Sequence, residues 1–177
     1  HPTPPSGRIL RLFRMGEIIE EQAIIDLKSA GYTVHSQQKE VSVTDRGVTL
    51  YGHIDGIVEG LVESAKPHLF ECKSSSEKRF AALKKIGYEK WDEKYRAQIH
   101  VYMILLKLKR CMVWVENKNT SEIYTERINL NATYAVELLE RVFNAITGII
   151  PDRSCPNASW YEAKWCPFYS ECFLFQR

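Results

Sequence analysis

What the chain lacks narrows the field first. No apolar run approaches the roughly 20 residues of a membrane-spanning helix, and no charged-then-apolar leader opens the sequence. The expectation is a protein without a membrane partner, residing in the cytoplasm. Neither sign of charge prevails: 24 Lys and Arg stand against 22 Asp and Glu, a formal balance of +2. Total charge is therefore no argument for nucleic acid, although a local basic face can hide inside a near-neutral sum. Five cysteines are an odd number for a chain with no export signal, which disfavours a secreted disulfide framework. No internal repeat or low-complexity tract is present.

What remains is ordinary globular material. With 177 residues, 45% of them hydrophobic and 26% charged, the chain can bury one sizeable core and is too apolar to be disordered. The opening His1-Pro-Thr-Pro-Pro-Ser-Gly7 reads as a turn-rich lead-in, the cut edge of something longer. Apolar residues then recur at helical spacing over 9–30, with Gly31 as the stop. Strands are expected over 32–38, 40–44 and 48–62, forming an antiparallel meander with a turn at Asp45-Arg46-Gly47. A strand over 68–74, a basic stretch of helix and loop over 75–94, and a helix over 95–109 follow. Strands over 111–116 and 121–128 flank the hairpin turn Asn117-Lys118-Asn119-Thr120, and a helix over 132–149 closes the core. The division expected is a core of 1–150 and a Cys- and aromatic-rich tail of 151–177, packed on that core.

The chemistry concentrates in two strands. Asp55 lies in Gly52-His53-Ile54-Asp55-Gly56, and Phe70-Glu71-Cys72-Lys73 follows. Side chains alternate along a strand, so Glu71 and Lys73 share one face while Phe70 and Cys72 take the other. If the Asp55 strand pairs beside them, two carboxylates converge as ligands for a hard cation, Mg²⁺ or Mn²⁺. Lys73 then adjoins the attacking water and the scissile phosphate. By the same alternation His53 shares the Asp55 face, as a DNA or metal contact or as a structural histidine. Gln98 and Tyr102, four apart, occupy one face of their helix. Lys78, Arg79, Lys84 and Lys85 offer a phosphate-contacting wall, with Lys118 a further candidate. Cys111 and Cys72 read as buried hydrophobes. Cys155, Cys166 and Cys172 crowd the tail, as thiolate ligands to a cluster do, while Trp160, Tyr161, Trp165, Phe168 and Tyr169 read as packing residues.

In this order, G-x-x-D, then E-x-K, then Q-x-x-x-Y, the residues Asp55, Glu71, Lys73, Gln98 and Tyr102 resemble the PD-(D/E)xK nuclease superfamily. The branch they resemble is the RecB-like one, which includes CRISPR-associated and phage exonucleases. The resemblance runs from about Arg8 to Cys172. It implies an α/β fold of restriction-endonuclease type, a mixed central sheet flanked by helices with the site at one edge. It implies a metal-dependent exonuclease acting on DNA ends in recombination, repair or phage replication, in a bacterial or phage-infected cell, with a recombination or replication protein as partner. Gly16-Glu17-Ile18-Ile19-Glu20 is similar to the family's first motif, with Glu17 in the usual His place and Glu20 in the usual Glu place. Metal ligation falls to Asp55, Glu71 and the Cys72 carbonyl oxygen, with Glu20 near them and Glu17 as a weaker candidate; Glu21 faces solvent. The tail resembles the iron–sulfur motif of some members, with Cys166 and Cys172 in place, Ala163 where a cysteine is expected and Cys155 an oddly spaced substitute. That ligand set is incomplete. The alternatives are an inactive, nuclease-derived DNA-binding scaffold and a structure-specific endonuclease.

Overall fold

A computed structural model describes residues 4–149, 152–153, 155–164, 166 and 168–174. Most of the opening heptapeptide's first half, Pro151 and Trp165 lie outside them. The chain divides into two compact units, His1–Glu140 and Arg141–Arg177.

In the first unit, helix α1 (Gly7–Ser29) buries Ile19, Ala23, Ile24 and Leu27, which recur on one side at helical spacing. It ends as the glycine predicts. Gly31 adopts φ +92, its N–H reaches the Lys28 carbonyl, and the Tyr32 N–H reaches back to that of Leu27, a pairing only a left-handed residue allows. Seven strands follow: β1 (Thr33–His35), β2 (Glu40–Asp45), β3 (Val48–His53), β4 (Gly56–Glu59), β5 (His68–Ser75), β6 (Arg110–Asn117) and β7 (Ile123–Asn129). Between β5 and β6 the chain crosses through α2 (Glu77–Ile86), α3 (Tyr88–Trp91) and α4 (Glu93–Leu105); α5 (Ala132–Ile146) comes after β7. The main sheet has the order β1-β4-β5-β6-β7. Its central pair β5 and β6 is parallel and the other neighbours are antiparallel, so the sheet is mixed.

The expected meander divides in two. β2 and β3 form a separate hairpin, and the stretch read as one strand over 48–62 breaks at Ile54-Asp55, where the chain passes from hairpin to main sheet. Ile54 is fully buried there and its N–H bonds the Lys39 carbonyl. Across that bend side-chain alternation does not carry, so His53 is not tied to the Asp55 face; it stays exposed in β3, 3.9 Å from Glu40.

β5 and β6 are covered on both sides, which explains the unbroken apolar run from Cys111 to Val115 in β6. One face carries Leu69, Cys111, Val113 and Val115 against Phe80, Leu83, Tyr88, Ile99 and Met103 of the crossover helices. The other carries Phe70, Cys72, Met112 and Trp114 against α1. Cys72 and Cys111 are thus buried hydrophobes, as read. Among the described residues no helix is long and apolar enough to cross a membrane.

In the second unit a short helix, α6 (Tyr161–Lys164), and a π-helical turn at Ser170–Leu174 are joined by irregular chain. Trp160 packs on Tyr161 and Tyr169 on Phe173, with ring centroids 5.3 and 5.4 Å apart.

Candidate active site

The bend that ends β3 delivers Asp55 to the start of β4, beside β5. Asp55 Oδ2 accepts a hydrogen bond of 2.7 Å from the Cys72 N–H, which ties the carboxylate to the middle of the E-x-K strand. β5 is third of the five strands, so the site lies on a central strand and not at the edge of the sheet. Alternation works here as the sequence requires: Cys72 packs toward α1, while Glu71 and Lys73 share the opposite side and are bonded to each other through Lys73 Nζ and Glu71 Oε1.

The two are nonetheless unequal. Lys73 is 19% exposed and lines a cleft of about 420 Å³, whereas the Glu71 side chain is wholly buried behind it. The same cleft is lined by Glu17, Glu20, Asp55, Tyr95 and Gln98, so both helix layers contribute walls to it. Glu20 comes from α1, where Gln38 Nε2 donates to its Oε1 at 2.8 Å; Glu21 is exposed, as expected. Gln98 lies beside the Tyr102 hydroxyl on the same face of α4 and works against the rise in its proton affinity that burial causes. Helix spacing accounts for that pairing.

Crowding of carboxylates in a poorly hydrated place shows in their proton affinities. Burial raises the Asp55 carboxyl, with Lys73 and the Cys72 N–H pulling it back. Glu20 is raised by burial and by the charge of Asp55. Glu71 is pushed up to about 7, by burial first and then by Asp55 and Glu20, against the pull of Lys73. Lys73 itself rises: burial disfavours its charge, but Glu71 and Asp55 more than compensate.

One atom bears on a metal. Glu71 Oε2 is buried and has no hydrogen-bond donor, and a buried anionic oxygen without a partner is costly. Among the described residues no three His, Cys, Asp or Glu side chains converge to hold an ion by themselves. Mg²⁺, however, commonly takes one or two carboxylates and keeps several waters. Asp55, Glu71 and the Cys72 carbonyl are hard oxygen donors of that kind and fit such an ion. Cys155, Cys166 and Cys172 are free thiols, and three thiols do not fit a closed Cys₄ cluster.

The basic residues are less uniform than the sequence suggests. Arg79 bonds Asp92 at 2.8 Å and Lys84 bonds Glu122 at 2.6 Å. Lys78, Lys85 and Lys118 are exposed. Lys118 sits beside the end of β5, its N–H on the Ser75 carbonyl at 2.9 Å.

Two participants escaped the sequence reading. Gln38, the partner of Glu20, occupies a left-handed turn with φ +54 and carries no local signal. Tyr95 did carry one: with Gln98 and Tyr102 it makes an i, i+3, i+7 stripe on α4.

Gly52 explains part of the motif around Asp55. A methyl group there would strike the Tyr102 hydroxyl and come within 3.0 Å of its ring carbons. Gly52→Ala is therefore expected to destabilise the protein by about 1–3 kcal/mol through overpacking. Urea unfolding checks this, and a Gly52→Ala/Tyr102→Ala double variant should recover much of the loss caused by the collision.

No protein-family model and no curated protein sequence matches the chain. Its fold is similar to that of solved structures. The crystal structure of SSO0001 superposes with a TM-score of 0.56 at 18% identity, covering 92% of this chain and 71% of that one. An alkaline exonuclease, LHK-Exo from Laribacter hongkongensis, superposes with a TM-score of 0.59 at 15% identity over 77% of this chain and 68% of its own. The same exonuclease in complex with dAMP gives 0.54 at 14% identity, over 77% and 67%. At these identities the likeness establishes the fold: an α/β unit with a mixed five-stranded sheet flanked by helices, similar to that of the exonuclease.

Proposed function

We propose that the protein is a metal-dependent DNA nuclease of the PD-(D/E)xK superfamily, RecB-like branch, acting as an exonuclease on DNA ends. The observation that carries this reading is one cleft lined by Asp55, Lys73, Glu20 and Gln98 with the unpartnered Glu71 oxygen buried behind it. Similarity of fold to an alkaline exonuclease, one of whose structures holds dAMP, supports it.

The reaction is hydrolysis: a water oxygen adds to phosphorus, the bond to the leaving sugar oxygen breaks, and the proton released passes to that oxygen or to solvent. Mg²⁺ or Mn²⁺, held by Asp55, Glu71 and the Cys72 carbonyl oxygen, supplies Lewis-acid polarisation when bound. The Lys73 ammonium, kept charged by its carboxylate neighbours, offsets negative charge developing on the phosphate. Gln98 offers an amide to a phosphate oxygen at the cleft wall, and Tyr102 fixes its orientation. Glu20 and, less directly, Glu17 carry the charge of the first motif into the cleft. Lys78, Lys85 and Lys118 supply exposed positive charge for the backbone of the strand.

A binding module without catalysis is the second reading. The complete burial of Glu71 behind Lys73 favours it, since a ligand must first be reached by its ion.

End-labelled linear DNA and covalently closed circular DNA, each incubated with Mg²⁺ or Mn²⁺ and with a chelator, decide between them. Metal-dependent loss of linear DNA alone is the expected result. Cutting of the circle makes the enzyme an endonuclease, and inertness of folded protein toward both selects the binding module.

A further inference from the structure

Lys73 is held from more directions than its partner Glu71 accounts for. Its Nζ lies 5.3 Å from the centroid of the Tyr95 ring and 3.3 Å from the Cys72 carbonyl oxygen. Tyr95 stands in the wall of the cleft, and its ring is itself braced. Trp91 packs against it at 5.5 Å and Tyr88 stacks on it at 6.5 Å with 24° between the planes. The Arg79 guanidinium lies 4.7 Å from the Trp91 ring and 6.0 Å from that of Tyr95. Arg79 is fixed in turn by Asp92, and its carbonyl accepts from Trp91 Nε1 at 2.9 Å. An aromatic face attracts a cation over it, most strongly where water is scarce. Glu71, wholly buried, draws the ammonium inward; the braced ring holds it at the cleft.

We propose that Tyr95 is a positioning residue for Lys73: its ring face, braced by Trp91, Tyr88 and Arg79, fixes the ammonium at the cleft wall while it stays bonded to Glu71. The part of this that concerns catalysis rests on the nuclease reading above. Arg79 accordingly acts on Lys73 through the aromatic cluster, as a brace.

The ring should leave a mark independent of any activity. A lysine ε-methylene near an aromatic face is shifted upfield by the ring current, so protein labelled with ¹³C at the lysine ε-carbon should show a displaced Lys73 signal, assigned by its disappearance in Lys73→Arg and so told apart from that of Lys84, whose Nζ lies 5.7 Å from the Phe80 ring centroid. Tyr95→Phe should keep that signal displaced, and Tyr95→Leu should return it to the ordinary lysine position. A signal unmoved by Tyr95→Leu overturns the proposal. Pentafluorophenylalanine at position 95 keeps the ring's size and reverses its quadrupole, which guards against a Leu variant that fails to fold. It should shift the Lys73 signal away from its Tyr95→Phe position, and identity of the two overturns the proposal as well. On linear DNA, Tyr95→Leu should lower kcat between about 10- and 100-fold, as loss of alignment does, with KM within about twofold and Tyr95→Phe close to wild type. A displaced Lys73 with unchanged kcat overturns the catalytic part. Wild-type protein that cuts nothing but shows the Tyr95-dependent signal overturns the nuclease reading and upholds the positioning of Lys73.

Discussion

Asp55→Asn protein is expected to leave linear DNA intact in the presence of Mn²⁺, its rate down by about a thousandfold or more, while its fold survives. The two halves of that expectation have separate physical origins. The asparagine carbonyl oxygen can still accept the 2.7 Å bond from the Cys72 N–H, so β4 and β5 stay tied and the stability change remains within about 1 kcal/mol. What disappears is the negative charge. A bound metal ion would supply several kcal/mol of transition-state charge stabilisation, which is forfeited if the ion is lost with its carboxylate, and about 4 kcal/mol corresponds to a thousandfold in rate. Release of end label, measured beside the urea midpoint, checks both halves. Wild-type cleavage by a folded Asp55→Asn protein would remove Asp55 from the catalytic machinery.

Lys73→Met should be the most destabilising change at the site. Glu71 is buried and Lys73 is its hydrogen-bond partner; removing one member of a buried pair costs about 3–5 kcal/mol. The cost depends on pH in a defined sense. The Glu71 carboxyl ordinarily titrates near 4.5 and stands at about 7 in the folded protein. The folded state therefore prefers the protonated acid. Its stabilising contribution is complete below about pH 4.5 and is lost as pH rises through about 7. Without Lys73, burial, Asp55 and Glu20 still raise the group and the opposing pull is gone, so the loss continues to higher pH. Urea unfolding of Lys73→Met at pH 5 and pH 8 should show the larger deficit at pH 8. The double variant Glu71→Gln/Lys73→Met should regain part of the stability and lose this pH dependence while remaining inactive. A Lys73→Met deficit equal at both pH values would mean that Glu71 is not the group left exposed to its own charge.

Local repetition carried most of the legible part. Ile19, Ala23, Ile24 and Leu27 announce the buried side of α1, and Gly31 its end, because a helix repeats within a few residues and each turn is written beside the last. The same holds for Glu71 and Lys73 on one side of β5 and for Gln98 and Tyr102 on one side of α4. Residues 48–62 misled for the complementary reason. Apolar residues resume at once beyond Asp55, and nothing local says that β3 pairs with β2 while β4 pairs with β1 and β5. His53 lost its link to Asp55 at that bend.

Residue order alone carries the chemistry available and the side of each element that presents it: two carboxylates, a lysine and a glutamine in a given order, on strands and a helix whose periods are set by backbone geometry. What each group meets was left to the packing of distant segments. It placed Asp55 on the Cys72 N–H, buried Glu71 while leaving Lys73 at the cleft, brought Glu20 across from α1, and set the Tyr95 ring beside the ammonium. Such meetings depend on strand pairing and on how helices settle on a sheet, where the free energy belongs to surfaces drawn from distant parts of the chain. No short window of sequence contains both surfaces.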